Sequence, residues 1–376
     1  MEWAPATEAD HIDGVPARWV AAPTTTAEAA AVLERAARDN LAVGIRGGGT
    51  KLDWGLPPRR LDLLVDTKRL SGVLEHAAGD LIAIVRAGTR LDTLDFGSQH
   101  LALDPLPGAT VGGTVALNTS GPRRLLHGTA RDLLIGITVV RPDGRVTRSG
   151  GKVVKNVAGY DLGKLYTGSY GTLGLITECV FRLHPVAGAR AVVTTPVPRA
   201  DLGALLATIR AEQVVPSAVE LDRPDDGPVT VAVLVEGTPA GVHDRAAQLE
   251  KATGGTTSAD PPPWWGRYPW QPGETGVKLT APLSRVPALA EPGVRGSAGT
   301  GVLYARLTGD IPARLDRIRA AAIAAGGHAV VLTAPPDVRE RVDMWGPVPG
   351  LALMRRVKDR FDPGHRFAPG RFAGGI

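Results

Sequence analysis

The chain has 376 residues, 43% hydrophobic and 22% charged, a globular composition with room for more than one domain at about 100–200 residues each. No apolar run approaches the roughly 18 residues of a membrane-crossing helix, and the acidic opening, Met1 to Gly14, lacks the apolar core of a secretory signal. The net charge of +5 is spread, with +2 over residues 1–186, 0 over 187–336 and +3 over 337–376, so no basic stripe points to nucleic acid. A lone cysteine, Cys179, excludes an internal disulfide framework and fits a reducing compartment, so a cytoplasmic protein is expected.

The first elements alternate. Thr25 to Glu28 reads as a capping box, followed by the apolar stripe Val32, Leu33, Ala36 and Ala37 of a helix. Leu41 to Ile45 reads as a strand running into a glycine-rich stretch, and Asp62 to Asp66 and Leu81 to Val85 as further strands. Thr89 with Asp92 suggests a helix start ahead of Leu91 and Leu94. Leu134 to Val140 meets the turn Pro142-Asp143-Gly144, and Arg145 to Arg148 returns as a hairpin.

After His184-Pro185 the pattern changes. Helices are expected at Asp201 to Arg210, Val242 to Lys251 and Ile311 to Ala325, the last stopped by Gly326-Gly327, with strands at Val229 to Val235 and Val302 to Leu307. From Asp337 a tail carries one amphipathic helix through Met354, Val357 and Phe361. The expected division is 1–187, 188–336 and a tail, 337–376, that packs back on the first part.

Four glycine stretches mark the first half: Arg46 to Lys51, Pro107 to Thr114, Gly150-Gly151 and Gly168 to Gly174. Glycines singly mark turns. In runs, beside hydroxyls and after strands, they let backbone N–H groups converge on an anion such as a pyrophosphate. The common nucleotide loops are absent. Gly159 to Lys164 is one residue short of a Walker A loop and lacks its hydroxyl, and Gly168, Gly171 and Gly174 have the wrong spacing for a Rossmann turn.

The stretches PGATVGGTVALNTSG (107–121), GTARDLLIGITVVRPDGRV (128–146) and GYDLGKLYTGSYGTLGLITE (159–178) resemble the FAD-linked oxidase family of vanillyl-alcohol oxidase and p-cresol methylhydroxylase type. GGKVVKNVAGYDLGKL (150–165) and FDPGHRFAPGRF (361–372) are most similar to the FAD-binding subunit of bacterial glycolate oxidases. The resemblance implies an α+β protein: a two-subdomain FAD-binding domain plus a smaller α+β cap domain on an antiparallel sheet. It implies FAD contacts by Arg46, Gly47, Gly48, Gly49, Thr50 and Lys51 in the first loop. Pro107, Gly108, Thr110, Gly112, Gly113, Thr114 and Asn118 follow in the second, then Gly128, Thr129, Arg131 and Asp132, and finally Gly171, Gly174 and Ile176. Lys51 stands where many members have glycine, and Ala368 where asparagine often precedes Pro-Gly.

The eight histidines include no pair at i, i+3 or i+4, so no metal site is expected. The His-Gly-Asp-Gly-Asn-type metal motif of the larger 2-hydroxy acid dehydrogenases is missing. His127 beside Gly128-Thr129 is a candidate proton acceptor, or a loop histidine bonded to backbone, and Arg306 and Arg267 are candidates for a substrate carboxylate. One cysteine cannot ligate a cluster, so electrons from a 2-hydroxy acid are expected to leave through a larger flavin dehydrogenase subunit and an iron–sulfur subunit. A membrane would then be in reach only through those partners. An assembly subunit with non-catalytic FAD and a stand-alone oxidoreductase are the alternatives. The aromatic run Trp264 to Trp270 suits either a partner surface or a filler beside the cofactor.

The first loop holds no histidine or cysteine, and Cys179 reads as a buried apolar residue, so FAD should be non-covalent. Yellow colour should survive desalting and pass into the supernatant on acid precipitation; a coloured pellet would show a covalent bond.

Overall fold

A computed structural model describes residues 2–152 and 159–376; residues 153–158, within the 150–165 stretch, lie outside the described residues. The chain divides into two compact units. One comprises Met1–Ser120, Gly128–Pro185 and Pro347–Ile376, the other Gly121–His127 and Val186–Gly346. Sequence patterning suggested borders at 187/188 and 336/337. The contacts place them at 185/186 and 346/347, and join seven residues before Gly128 to the second unit.

In the first unit, Thr25 Oγ1 accepts the Glu28 amide at 3.1 Å, and the Glu28 carboxylate accepts the Thr24 amide and hydroxyl. This starts helix Thr26–Arg38, which buries Ala29, Val32, Leu33 and Ala36. Strand Leu63–Asp66 lies between Trp19–Ala21 and Val43–Arg46, parallel to both, and Ala4–Pro5 adds an antiparallel edge. The helix shares a core with Val43, Leu63 and Val65 of this sheet and with Val140 and Leu175 of the next.

That second sheet is antiparallel, in the order Val146–Gly150, Leu134–Val140, Leu175–Arg182, Ile82–Arg86, Val73–Ala77. Its core takes in Val111 and Val115 from helix Val111–Leu117 and Tyr166 from helix Leu162–Tyr166. Cys179 is fully buried there, and burial pushes its thiol above the ordinary range and so disfavours the thiolate. The helix expected near Thr89 is only the 3₁₀ turn Leu91–Thr93. Asp92 does not cap it: its carboxylate takes the Arg90 guanidinium at 2.7 Å and the Gly108 amide at 3.0 Å.

The tail closes the first unit. Arg366 O accepts the Val43 amide at 2.7 Å and Val43 O accepts the Ala368 amide at 2.8 Å, so the tail runs along the edge of strand Val43–Arg46. Helix Leu351–Phe361 holds it through Lys358, which is fully buried. Lys358 Nζ donates to Asp362 Oδ2 and Thr172 O at 2.8 Å and to Phe367 O at 2.9 Å. Asp362 Oδ2 also accepts the Phe367 amide at 2.8 Å.

The second unit is built on one antiparallel eight-stranded sheet. The order is Thr256–Ser258, Ala189–Val197, Val229–Gly237, Ala218–Arg223, Val294–Ser297, Val302–Leu307, Thr275–Thr280, His328–Thr333. Helices Pro239–Thr253, Leu202–Ala211, Val286–Leu289 and Ile311–Ala324 touch in that order, and the first and last of them pack on the sheet. Segment 121–127 belongs here because Arg124 reaches the Tyr304 hydroxyl at 3.5 Å and Arg123 reaches Glu236 at 3.8 Å. Trp264 and Trp265 lie against Val192, Ala218, Ala232 and Leu234, while Tyr268 stacks on Trp270 with ring centres 4.8 Å apart. The aromatic run is thus half-buried against its own sheet.

Breaking one side of a buried ion pair costs about 3–5 kcal/mol, because the other charge is left without its partner. Asp362→Ala should therefore lower the urea midpoint of the first unit sharply, and the double change Lys358→Met, Asp362→Leu should cost less. Equal losses would show that packing, and not the stranded charge, dominates.

Candidate functional site

Strand Val43–Arg46 delivers the chain into the first glycine stretch. Arg46 ends that strand with its guanidinium held by Asp10 and Asp66, each at 2.8 Å, so its side chain serves the scaffold. Beyond it the backbone changes character. Among the described residues, none of the five amides from Gly47 to Lys51 donates a hydrogen bond to protein. Consecutive amides without acceptors form a concavity suited to an anion.

The second stretch leads into helix Val111–Leu117, and its amides are used internally. The Val111 amide donates to Thr89 O at 2.9 Å, that of Gly112 to Ala87 O at 2.7 Å, and that of Gly113 to the Thr110 hydroxyl at 3.4 Å. What this helix offers is a smooth surface and one hydroxyl. Thr114 is 4% exposed, and its Oγ1 has no hydrogen-bond partner. The two stretches touch: a Cβ on Gly48 would collide with the Gly108 carbonyl oxygen, whereas one on Gly113 would meet only Thr110 Oγ1, at 3.2 Å.

Beside this contact lies a partly open cleft. All of 47–51 lines it, as do Thr110, Gly112, Gly113 and Thr114, and also Gly171, Gly174 and Ile176. Other expected residues stand back. Gly108 lines a neighbouring open cleft that also takes in Gly48 and Thr110, and Pro107 is exposed. Asn118 ends helix Val111–Leu117 at a φ of 49° and accepts the Arg131 amide at 3.1 Å. Gly128 precedes the turn in which Asp132 accepts the Thr129 amide and hydroxyl, both at 2.8 Å. Asn118 is thereby tied to the turn formed by Thr129, Arg131 and Asp132.

His127, Arg306 and Arg267 belong to the second unit. His127 closes helix Arg124–His127, Arg267 is exposed, and Arg306 is paired with Asp225 and, at 3.5 Å, with Glu274. Among the described residues no group of three His, Cys, Asp or Glu could hold a metal ion. Local reading missed Ile12, Ile45, Tyr170 and Arg371, which line the cleft from distant parts of the chain. Arg371 donates to Leu52 O at 2.9 Å and to Trp54 O at 2.7 Å. The Arg-Phe-Ala-Pro-Gly-Arg-Phe run of the tail was its only signal.

Residues 17–150 match the FAD-binding domain family. The chain carries an FAD-binding domain. Its cofactor is FAD, and its fold is that of vanillyl-alcohol-oxidase-type flavoenzymes. Over 206 residues it is 36% identical to a D-lactate dehydrogenase of Archaeoglobus fulgidus, covering 54% of this chain and 46% of that protein. Over 160 residues it is 36% identical to glycolate oxidase subunit GlcE of Escherichia coli, covering 41% of this chain and 45% of that one. The matches thus span under half of each relative. Among solved structures, an alkyldihydroxyacetonephosphate synthase shares the fold with a TM-score of 0.69 at 17% identity, over 95% of this chain and 77% of that one. The first loop's free amides and the unpartnered Thr114 hydroxyl fit the anionic middle of FAD.

Gly113→Val should fill the cleft and abolish flavin retention with an unchanged circular dichroism spectrum and urea midpoint. Gly48→Ala should lose flavin and also lower the melting temperature, since it parts the two loops. Full flavin occupancy in Gly113→Val would place the cofactor away from this helix.

Proposed function

We propose that this chain is the FAD-binding subunit of a glycolate, or closely related 2-hydroxy acid, oxidase or dehydrogenase complex. The observation that carries the reading is the glycine-lined cleft in a domain similar to both a D-lactate dehydrogenase and glycolate oxidase subunit GlcE.

In this reading the amides of 47–51 and the Thr114 hydroxyl hold the cofactor's phosphates. Gly112 and Gly113 allow it to lie close to helix Val111–Leu117, and Gly171, Gly174 and Ile176 flank its other end. When bound, FAD supplies the acceptor for the hydride from the substrate α-carbon. The chain's own groups orient the substrate and manage its hydroxyl proton. His127 is the proton acceptor, and Arg267 meets the carboxylate. Arg306, which is paired with Asp225 and Glu274, is the second candidate for the carboxylate. Buried Cys179 offers no ligand for a cluster, so electrons pass to a larger flavin dehydrogenase subunit and an iron–sulfur subunit.

The test is anaerobic mixing of the flavin-loaded chain with glycolate or D-lactate, followed by stopped-flow absorbance. The chain alone should bleach slowly or not at all, and co-expressed partner subunits should bring bleaching into catalytic times. Full, fast reduction of the isolated chain would make it a dehydrogenase in its own right. No bleaching with either acid, even in the complex, would remove the 2-hydroxy acid assignment.

A further inference from the structure

The cleft contains a buried cation that forms no ion pair among the described residues. Lys51 is 8% exposed and lines the cleft beside the five unused amides. Its Nζ lies 3.5 Å from Thr50 Oγ1 and 5.5 Å from the centre of the Trp54 ring, and it forms no ion pair among the described residues. The titratable groups around it come from three segments. Asp53, on its own loop, acts on it through space; Tyr170 and the tail's Arg371 share the cleft lining. Arg371 aims at the Leu52 and Trp54 carbonyls and adds positive charge instead of balancing it.

A buried ammonium without a counter-ion carries a desolvation penalty of several kcal/mol, and folded proteins normally pair it. Lys358 in the same unit shows the paired solution, with a carboxylate and two carbonyls around its Nζ. Lys51 has only a hydroxyl and a ring face close to its Nζ. The unused amides, the Thr114 hydroxyl and the ammonium line one cleft, a set of donors suited to a multiply charged anion.

We propose that Lys51 forms an ion pair with the FAD pyrophosphate, so that cofactor loading is coupled to protonation of this residue. The coupling has a definite sign. Burial, partly offset by Asp53, pulls the pKa of Lys51 from its usual 10.5 to about 8. Pairing with an anion raises it again, so the bound state holds the proton to higher pH than the free state. Affinity is then flat below pH 8 and falls as pH rises above it, by up to about tenfold per pH unit for one linked proton. Proton uptake on binding is near zero at pH 6.5 and largest above pH 8. The inference rests on FAD as cofactor and is independent of the substrate assignment.

The experiment titrates the full-length apoprotein with FAD between pH 6.5 and 9.5, following flavin fluorescence, with calorimetry in two buffers of different ionisation enthalpy to count protons. Wild type should show the flat-then-falling profile. Lys51→Met should bind FAD about tenfold or more weakly at pH 7, with no pH dependence, since a hydrogen-bonded charge is worth about 1.5–3 kcal/mol. Lys51→Arg should bind tightly with a flat profile, because a guanidinium stays charged throughout. ADP, displacing FAD, should reproduce the wild-type slope, and riboflavin, which lacks phosphate, should show none.

Stability gives an independent readout. Without FAD, Lys51→Met should resist urea better than wild type at pH 7. The gap should narrow between pH 8 and 10, as the wild-type lysine loses its proton more readily folded than unfolded. A flat wild-type affinity across pH 8, a wild-type profile in Lys51→Met, or a slope with riboflavin but not ADP would each overturn the proposal. If Lys51→Met does not fold, wild-type proton uptake at pH 8.5 decides it.

Discussion

The first unit is organised around a stretch of backbone whose amides bond to no other part of the protein among the described residues. The five successive amides run from Gly47 to Lys51, through the exposed Gly49 and Thr50, and are open to an anion. Such a stretch keeps its shape only if both ends are fixed. One end is fixed by Arg46, clamped between Asp10 and Asp66, on a strand paired with Leu63–Asp66 on one side and the tail on the other. On the far side, the backbone of Gly48 rests on that of Gly108, whose amide is held by Asp92. A side chain at Gly48 would part the loops, which gives this glycine a role in packing as well as in ligand approach.

Three buried cations of the same unit show how differently a positive charge can be placed. Lys358 is enclosed by Asp362 and two carbonyls and ties the last helix to the turn at Thr172 and to Phe367. Arg371 spends two donors on the carbonyls of Leu52 and Trp54 and so shapes the segment after the first loop. Lys51 has no such enclosure. The first two are explained by folding alone. The third is a cost to folding, and the proposed pairing with an anion would offset it in a way specific to charge.

In the second unit, a seven-residue segment drawn from the middle of the first unit's sequence is held by Arg123 and Arg124 against the large sheet. His127 sits at the end of that segment while Gly128 begins a turn of the other unit. Sequence neighbours therefore have different structural allegiances, and the candidate proton acceptor is positioned by the sheet of the second unit. The aromatic run from Trp264 lies on the same sheet, where its rings stack on one another and edge against Tyr304.

By itself, the sequence determined what depends on near neighbours in the chain. The capping box at Thr25, the hairpin turn at Pro142-Asp143-Gly144 and the helix stopped before Gly326 are local bargains between side chain and backbone, and each appears where its residues stand. The glycine runs were legible for the same reason, since only glycine tolerates such close approach. Tertiary structure alone decided the rest. Asp92 looked like a helix start because its local spacing is right, but its carboxylate takes a guanidinium two residues back and an amide 16 residues on. That the Arg46 side chain is held between Asp10 and Asp66 could not be read from its place beside the first glycine run. Ile12, Tyr170 and Arg371 enter one cleft from widely separated positions. Which charge is paired and which is left open depends on groups brought together only by folding, and no spacing along the chain encodes that distance.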